Sequence, residues 1–309
     1  MIEQQPLVEL LQFLKDKHYC FTTVTPATHS RVIDRPPPDE PTMRDIFGWS
    51  RPFAKDQVQA CVVDLLRRAN ALETHASGKM RSLVRVASLS GELFVHSAFP
   101  TNDRDAVFFG PDTYRFWNYL KIQLGGAAKP EHLVDLGAGS GAGGILASRY
   151  VGARRTTLVD INQVALSFAA ANAAACGVHI DLLNGGHIPD GADLVIANPP
   201  YLMDQGHRSY RDGGTLLGGE LSLDWARQAL KRMSPGGVLL MYTGAAFMNG
   251  SAPLLDAIQA LCLDATSSLQ TCEIDPDVFG EELCSSMYGD VERIAAVGVR
   301  VQKARRPWE

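Results

Sequence analysis

Residues 134–144 read VDLGAGSGAGG, an apolar run that ends in a glycine-rich turn and leads into a helical pattern. The glycines at 137, 139 and 141 permit positive φ angles and let a nucleotide-like ligand approach backbone that a Cβ would block. A strand, a glycine turn and a helix in this order begin an α/β unit whose ligand lies at the carboxyl end of the strand. This stretch therefore decides the fold class.

An acidic residue follows one strand later. Asp160 ends the run TTLVD, where its carboxylate can accept hydrogen bonds from both hydroxyls of a ribose. Gly137, Gly139 and Ala142 also satisfy the G-x-G-x-x-G/A pattern of dinucleotide-binding folds. On this turn alone, three interpretations stay open: a nicotinamide or flavin dinucleotide, S-adenosylmethionine, or a purely structural turn.

From about residue 130 onward, apolar strand-like runs alternate with helical patterns. The strand-like runs lie at 132–136, 156–160, 179–183, 193–197, 237–243, 269–274 and 294–302. The helical patterns follow Gly141 and occupy 162–176, 222–233 and 252–262. This alternation predicts an α/β fold with a doubly wound, mostly parallel, Rossmann-like sheet of seven strands.

The first 125 residues have a different pattern, which predicts a smaller α+β domain. Apolar residues recur at helical spacing over 7–19 and 58–72, and strand-like runs at 83–87 and 92–96 flank the turn Ser90-Gly91. The proline-rich segment 35–41 predicts a surface loop, because proline lacks the N–H that a helix interior needs. We therefore expect one domain over residues 1–125 and a second over residues 126–309.

Composition excludes several classes of protein. The 309 residues are 46% hydrophobic and 20% charged, without a long apolar run or a signal-peptide pattern, so we expect a cytoplasmic protein with no membrane span. The six cysteines are scattered and have no histidine at ligand spacing, so we expect no metal site. A net charge of −5 argues against electrostatic wrapping of nucleic acid but leaves RNA open.

A second motif, Asn198-Pro199-Pro200-Tyr201, follows the strand-like run at 193–197. Together with DLGAGSG at 135–141 and with Asp160, it resembles the class I S-adenosylmethionine-dependent methyltransferases that carry N/D-P-P-Y/F/W after their fourth strand. That group includes enzymes that methylate amino groups of nucleic acids and the glutamine methyltransferases that act on release factors. The resemblance covers residues 130–303 and implies S-adenosyl-L-methionine as the cofactor.

The resemblance also assigns residues to the cofactor. It implies contacts from Asp135, Gly137, Gly139, Gly141 and Asp160. Upstream, VFFGPDTYRF at 107–116 resembles the segment that closes over the cofactor in the glutamine enzymes, which makes Thr113 of the Pro111-Asp112-Thr113 triplet a further contact. Those families usually place an acidic residue after the third strand to hold the adenine amino group. Asn184 stands there in this chain, and we expect its side-chain oxygen to make a similar contact.

The Asn-Pro-Pro-Tyr motif suits a planar NH2 group as the methyl acceptor. The nitrogen of such a group is a poor nucleophile, because its lone pair is delocalised into the neighbouring π-system. If the Asn198 side-chain oxygen and the Pro199 carbonyl each accept one N–H, the nitrogen is held and pyramidalises toward the methyl donor. Pro199 and Pro200 stiffen the corner, and Tyr201 offers a ring face for stacking.

Two polar regions have alternative interpretations. The stretch 202–219 should overhang the site as a substrate loop, where Arg208 and Arg211 either contact a phosphate or an acidic partner or form a solvated salt bridge within the loop, such as Arg211 with Asp212. Five basic residues of the N-terminal half form either an RNA-facing strip or an ordinary solvated face, and we favour the solvated face: Arg67, Arg68, Lys79, Arg81 and Arg85.

Taken with the resemblance, these features predict a substrate-recognition domain over residues 1–125 and an S-adenosylmethionine-dependent catalytic domain over residues 126–309. We expect a macromolecular methyl acceptor. The triplet at 111–113 and the net charge of −5 favour a protein glutamine side chain over the N6 of adenine or N2 of guanine in RNA or DNA. An alternative of another class is a non-catalytic module that binds S-adenosylmethionine or NAD. The intact Asn198 argues against it, because such a module has no need for this hydrogen-bonding group.

Overall fold

The computed structural model of the protein describes residues 3–75, 78–101, 103–204 and 210–305. Its N-terminal part contains the helices α1 (Gln4–Asp16), α2 (Pro26–Ile33), α3 (Met43–Phe47) and α4 (Ala60–Arg68). Two antiparallel hairpins follow, formed by β1 (Leu72–Thr74) with β2 (Met80–Ser82) and by β3 (Val84–Leu89) with β4 (Glu92–Ser97). The helices predicted at 7–19 and 58–72 and the two predicted strands are present, with shifted ends.

The shifted helix ends have local backbone causes. Helix α1 ends at Asp16, because His18 adopts a left-handed conformation with φ 53°. Asn70 does the same with φ 54°, so α4 ends at Arg68 and Leu72 begins a strand instead of continuing the helix. The sequence pattern did not predict α2 and α3, which are short. Each begins at a threonine whose side chain caps the first turn, Thr25 and Thr42.

The second part of the chain forms the predicted sheet. After α5 (Pro111–Leu124), its elements in chain order are β5 (His132–Leu136), α6 (Ala142–Val151), β6 (Arg155–Asp160), α7 (Gln163–Cys176), β7 (Asp181–Asn184), β8 (Leu194–Ala197), α8 (Glu220–Arg232), β9 (Val238–Phe247), α9 (Pro253–Asp264), β10 (Ser268–Asp275) and β11 (Arg293–Gln302). The strand order is β10-β11-β9-β8-β5-β6-β7, and of these strands only β11 runs opposite to the others. The predicted seven-stranded, mostly parallel α/β sheet is confirmed.

Helices cover both faces of this sheet, because successive residues of its central strands point to opposite sides. On β8, Ile196 packs in the same core as α5 and α6, whereas Val195 packs with α8 and α9. Such strands are buried on both faces and read as continuous apolar runs. The predicted strand at 179–183 is observed as Asp181–Asn184, an exposed edge strand with a weaker apolar signal.

The N-terminal elements pack against α7. Leu7 and Leu10 of α1 share a hydrophobic core with Val95 of β4 and with Phe168 of α7. Helix α5 packs in the core of the sheet through Phe116. The division into domains at residues 125 and 126 stays a prediction. What the packing does provide is a fixed position for the N-terminal part beside the carboxyl edge of the sheet.

Candidate active site

A cavity of about 750 Å³ opens at the carboxyl ends of β5, β6 and β8. Parallel strands present these ends at one edge of the sheet, which is where ligands bind in open α/β folds. The cavity wall includes most of the residues that the sequence singled out: Thr113, Asp135, Gly137, Gly139, Asp160, Asn198, Pro199, Pro200 and Tyr201. Gly141 and Asn184 do not line it. The structure thus brings the two sequence motifs together, while the role of each residue stays a prediction.

The glycine turn gives the cavity a floor of bare backbone. Gly139 has φ 54°, and a Cβ added there would meet no atom within 4 Å, so a side chain would project into the cavity. Gly137, with φ 70°, lies directly against the ring of Trp225 from α8, which leaves no room for a Cβ. Gly141 instead packs on Leu158 and Ala169, where it allows α6 to approach the sheet.

Asp160 is preorganised to hold two hydroxyl groups. Its Oδ2 accepts a 2.8 Å hydrogen bond from the Gly139 N–H, and its Oδ1 accepts one of 2.8 Å from the Asn162 N–H. Each carboxylate oxygen can accept a second hydrogen bond, so both ribose hydroxyls of a nucleoside have an acceptor here. Burial raises the pKa of this carboxyl group above its ordinary value. These features fit the ribose of S-adenosylmethionine.

Asp135 lies below the turn and fastens it to α6. Its side chain is almost fully buried, and its Oδ2 accepts a 2.7 Å hydrogen bond from the Gly144 N–H in the first turn of that helix. Burial raises the pKa of this carboxyl group to about 7. Asp135 therefore fixes the glycine turn from beneath, and we infer that it positions the turn.

Asn198 and Pro199 present two acceptors at the cavity wall. Asn198 is partly exposed at the carboxyl end of β8, and within the described residues its side-chain amide makes no hydrogen bond. No N–H in the described ranges donates to the Pro199 carbonyl either. Both acceptors are therefore available to an NH2 group that enters the cavity.

Tyr201 is held by a buried polar network that the sequence analysis did not predict. Its hydroxyl donates to Oδ2 of Asp112 at 2.6 Å, and the Tyr242 hydroxyl donates to Oδ1 of Asp112 at 2.7 Å. Arg115 joins Asp112 at 3.1 Å and Asp275 at 2.8 Å. Burial raises the pKa of the Tyr201 hydroxyl well above its ordinary value, so it stays a donor. The network ties the Asn-Pro-Pro-Tyr corner to α5 and β9.

The ring of Tyr201 lies against the backbone of β9. A Cβ at Gly244 would collide with this ring, so the strand accommodates Tyr201 only because that position carries a glycine. The ring of Phe279 approaches it edge-on, with centroids 5.8 Å apart. Only 7% of Tyr201 is exposed. Its predicted stacking role stays a prediction, while its contacts hold the corner in place.

Comparison with known proteins identifies the class of enzyme. Residues 121–251 match the family described as Methyltransferase small domain. The release factor glutamine methyltransferase of Deinococcus radiodurans is 27% identical over 213 residues, which cover 64% of this chain and 72% of that protein. The chain is a class I S-adenosylmethionine-dependent methyltransferase.

Two further relatives show the range of the similarity. The release factor glutamine methyltransferase of Cereibacter sphaeroides is 30% identical over 143 residues, covering 40% of this chain and 51% of that protein. The ribosomal RNA small subunit methyltransferase C of Pseudomonas fluorescens is 31% identical over 111 residues, which cover 35% of this chain and 30% of that protein. The chain thus spans about half the length of the Cereibacter relative and 30% of the length of the Pseudomonas relative.

A solved structure supports the fold of the methyltransferase. Trm5b from Pyrococcus abyssi superposes with a TM-score of 0.50 at 16% identity, covering 80% of this chain and 68% of that one.

None of the described helices combines the length and the apolar character that a membrane crossing requires. In the same ranges, no group of three or more His, Cys, Asp or Glu side chains is placed to hold a metal ion.

The Pro111-Asp112-Thr113 triplet begins helix α5 of the methyltransferase. Thr113 lines the cavity, and its hydroxyl accepts a 3.3 Å hydrogen bond from the Gly110 N–H. Asp112, one residue earlier, is buried against Tyr201. Both residues line the cavity, and Asp112 also supports Tyr201 of the Asn-Pro-Pro-Tyr motif.

Asn184 is placed differently from the adenine contact that the resemblance implied. Its side-chain N–H groups donate to the backbone carbonyls of Asp160 and Ile161, each at 3.1 Å. These bonds draw the amide back onto β6, whereas the next three residues, 185–187, line the cavity. The role of Asn184 in binding adenine stays a prediction.

The loop after the motif is fastened at both sides of the cavity mouth. Arg208 lies outside the described residues. Arg211 forms ion pairs with Asp204 and Glu282, two carboxylates of this chain other than the predicted Asp212. Tyr210 donates to the Thr101 carbonyl at 2.6 Å and stacks on Phe108, which connects the loop to the N-terminal part.

The five basic residues of the N-terminal half were predicted to lie on an ordinary solvated face. That prediction was wrong for Arg85, which is buried. Its side chain is only 4% exposed, and its Nε donates to the Gly48 carbonyl at 2.9 Å. Arg85 is buried because β3 turns it inward, opposite His96 of β4. Arg68 is exposed and pairs with Glu9 and Asp64.

Proposed function

We propose that this methyltransferase methylates the side-chain NH2 group of a glutamine in a protein. The observation that carries the proposal is the pair of unengaged acceptors, the Asn198 side-chain oxygen and the Pro199 carbonyl, at a cavity that also contains Asp160. S-adenosylmethionine supplies an electrophilic methyl group bound to a sulfonium. The two acceptors suit the two N–H groups of a primary amide.

Asn198 and Pro199 act by positioning. Each accepts one N–H of the amide, which fixes the nitrogen and directs its lone pair toward the methyl group. The corner keeps its geometry because Pro199 and Pro200 have restricted φ angles and because Asp112 anchors the Tyr201 hydroxyl. The chain thereby prepares a weak nucleophile without a covalent intermediate.

The charges around the cavity favour a protein over RNA. Among the described residues, the arginines that line the cavity are Arg115 and Arg211, and each already pairs with two carboxylates. Asp277 and Glu281 add negative charge to the wall. An RNA would bring phosphates to this mouth, and their affinity would depend on cations that remain available. A neutral glutamine side chain has no such requirement.

The N-terminal part supports recognition of a macromolecule. Four of its residues line the same cavity as the Asn-Pro-Pro-Tyr motif: Phe99, Pro100, Thr101 and Phe108. We therefore assign residues 1–125 to substrate recognition and residues 126–309 to catalysis. We also place the enzyme in the cytoplasm, where the free thiols found at its six cysteines stay reduced.

A second candidate is an amino group in RNA, at N6 of adenine or N2 of guanine. Relatives named ribosomal RNA small subunit methyltransferase C, from two Pseudomonas species, favour it. Their matches cover 35% and 30% of this chain, whereas the match to the Deinococcus glutamine enzyme covers 64%. The protein acceptor is therefore our first choice.

The acceptor can be determined by labelling. The enzyme is incubated with methyl-labelled S-adenosylmethionine and an extract of cells that lack it, and portions are treated with ribonuclease or protease. We expect label that survives ribonuclease, is lost with protease, and is released as methylamine on acid hydrolysis, because hydrolysis breaks the methylated amide. Label lost with ribonuclease would reject glutamine and select RNA. Protein label that yields no methylamine would place the methyl on another side chain.

A further inference from the structure

The order of the strands fixes the direction in which the cofactor lies. Along the carboxyl edge, β8 with Asn198 is followed by β5 with the glycine turn, β6 with Asp160 and β7 with the loop 185–187. The ribose lies at Asp160, and the methyl group must reach toward Asn198. Because the base and the sulfonium leave a nucleoside at opposite ends of the ribose, adenine lies on the β7 side of Asp160.

The cavity wall on that side has an apolar and a polar part. Ile161 is 65% exposed and gives a flat apolar surface beside Gly186. Helix α8 closes the wall, because Gln228 contacts the Gly186 carbonyl at 3.5 Å and the Ile188 N–H at 3.4 Å. One turn earlier on the same helix face, Asp224 also lines the cavity.

We propose that Asp224 accepts the hydrogen bond from the exocyclic amino group of adenine. The Gln228 side-chain amide donates to Oδ2 of Asp224 at 2.8 Å, which orients the carboxylate. Both N–H groups of Asn184 are directed to backbone carbonyls of β6 and the residue after it. Asn184 does not line the cavity, whereas Asp224 of helix α8 does and presents a carboxylate acceptor there. The inference rests on the cofactor and not on the identity of the methyl acceptor.

Other carboxylates that line the cavity lie elsewhere. Asp112 and Asp135 are buried, whereas the Asp224 side chain is 46% exposed and, besides Gln228, has Arg227 as an ion-pair partner at 3.5 Å. Asp277 and Glu281 belong to the connection between β10 and β11, toward the opposite end of the sheet from β7. Among the described carboxylates of the wall, Asp224 is the one that is joined, through Gln228, to the segment after β7.

Two ligands that differ only at the base test this assignment. S-adenosylhomocysteine carries the amino group, whereas S-inosylhomocysteine carries a carbonyl oxygen that a carboxylate repels. By calorimetry, the wild type should bind the adenosyl compound about 10- to 100-fold more tightly, the range for a hydrogen bond to a charged group. Asp224→Asn should reduce this preference to within about 3-fold, because its amide can donate to the carbonyl or accept from the amino group.

Two further variants complete the test. Asp190→Asn is a matched control, since Asp190 is an exposed carboxylate that pairs with Arg232, and it should keep the wild-type preference. Asn184→Ala should keep the preference as well, even if both ligands bind more weakly. The assignment is overturned if Asp224→Asn retains the wild-type preference, if Asn184→Ala alone abolishes it, or if the wild type binds both compounds equally. Failure to bind either compound would overturn the cofactor assignment together with this inference.

Discussion

The hydroxyl of Tyr201 donates a 2.6 Å hydrogen bond to the Asp112 carboxylate, which joins the acceptor motif to the helix that begins at the cofactor cavity. A single buried carboxylate thereby links the surface proposed to hold the methyl donor to the corner proposed to hold the acceptor nitrogen. Tyr242 donates to the other oxygen of the same carboxylate. The relative position of α5, β9 and the Asn-Pro-Pro-Tyr corner thus depends on Asp112.

Replacing Asp112 should destabilise the fold. Asp112→Ala removes the acceptor of two buried tyrosine hydroxyls and one partner of Arg115, so we expect the free energy of unfolding to fall by roughly 2 to 4 kcal/mol. Asp275→Ala is the matched control, because it removes the outer partner of Arg115 and one exposed 3.3 Å hydrogen bond from the Asp277 N–H, and it should cost less than about 1 kcal/mol. Urea denaturation of the two variants measures both values. Equal losses would show that Asp112 has no special position in the network.

Removing the Asp160 carboxylate should weaken cofactor binding. Asp160→Ala deletes the acceptor that we propose for the ribose hydroxyls, and we expect a loss of about 1.5 to 3 kcal/mol in the affinity for S-adenosylhomocysteine. Asp181→Ala is the control, since Asp181 is an exposed carboxylate of the edge strand that pairs with Arg155. Calorimetry with S-adenosylhomocysteine and NADH decides the point. Wild-type protein that bound only NADH would contradict the cofactor assignment.

Asp135 should make stability fall as the pH rises. Its pKa is about 7 in the folded protein, above the ordinary value of an unfolded aspartate near 4, so the folded state binds more protons between those values. The stabilising contribution is present below about pH 4 and is lost as the pH approaches 7. Buried His96, whose pKa is lowered by burial, acts in the opposite direction. Comparison with Asp135→Asn isolates the aspartate.

The measurement is urea denaturation at pH 5, 6 and 7. The difference in unfolding free energy between wild type and Asp135→Asn should shift against the wild type with rising pH, by at most about 1.4 kcal/mol per pH unit. A difference that stays constant over this range would show that the carboxyl group titrates outside it.

The fold could be predicted from the sequence because its central strands are buried on both faces. The run at 132–136 coincides with β5, and 294–302 differs from β11 by one residue at its start. The short elements of the N-terminal part gave no comparable signal. For example, β1 and β2 have three residues each, too few to show a period.

The site was predictable only where chemistry follows local sequence. The glycine turn, Asp160 and Asn198 can be recognised in the sequence, because each stands at the end of an apolar strand or directly after it. The network around Tyr201 cannot be recognised in this way, since Asp112 lies 89 positions from Tyr201 and 130 from Tyr242 along the chain. Contacts of this kind arise from the packing of α5 against β9, which no periodicity in a single segment reports.

The central claim is that Asn198 prepares the acceptor nitrogen without holding the cofactor. Asn198→Ala should leave the affinity for S-adenosylhomocysteine within about 2-fold of wild type and lower the rate of methyl transfer to the extract by roughly 10²- to 10³-fold, as expected for one preorganised hydrogen-bonding group. Both quantities are measured on the same protein preparations, by calorimetry and by incorporation of labelled methyl groups. A variant that retained more than about half of the wild-type rate would contradict the account.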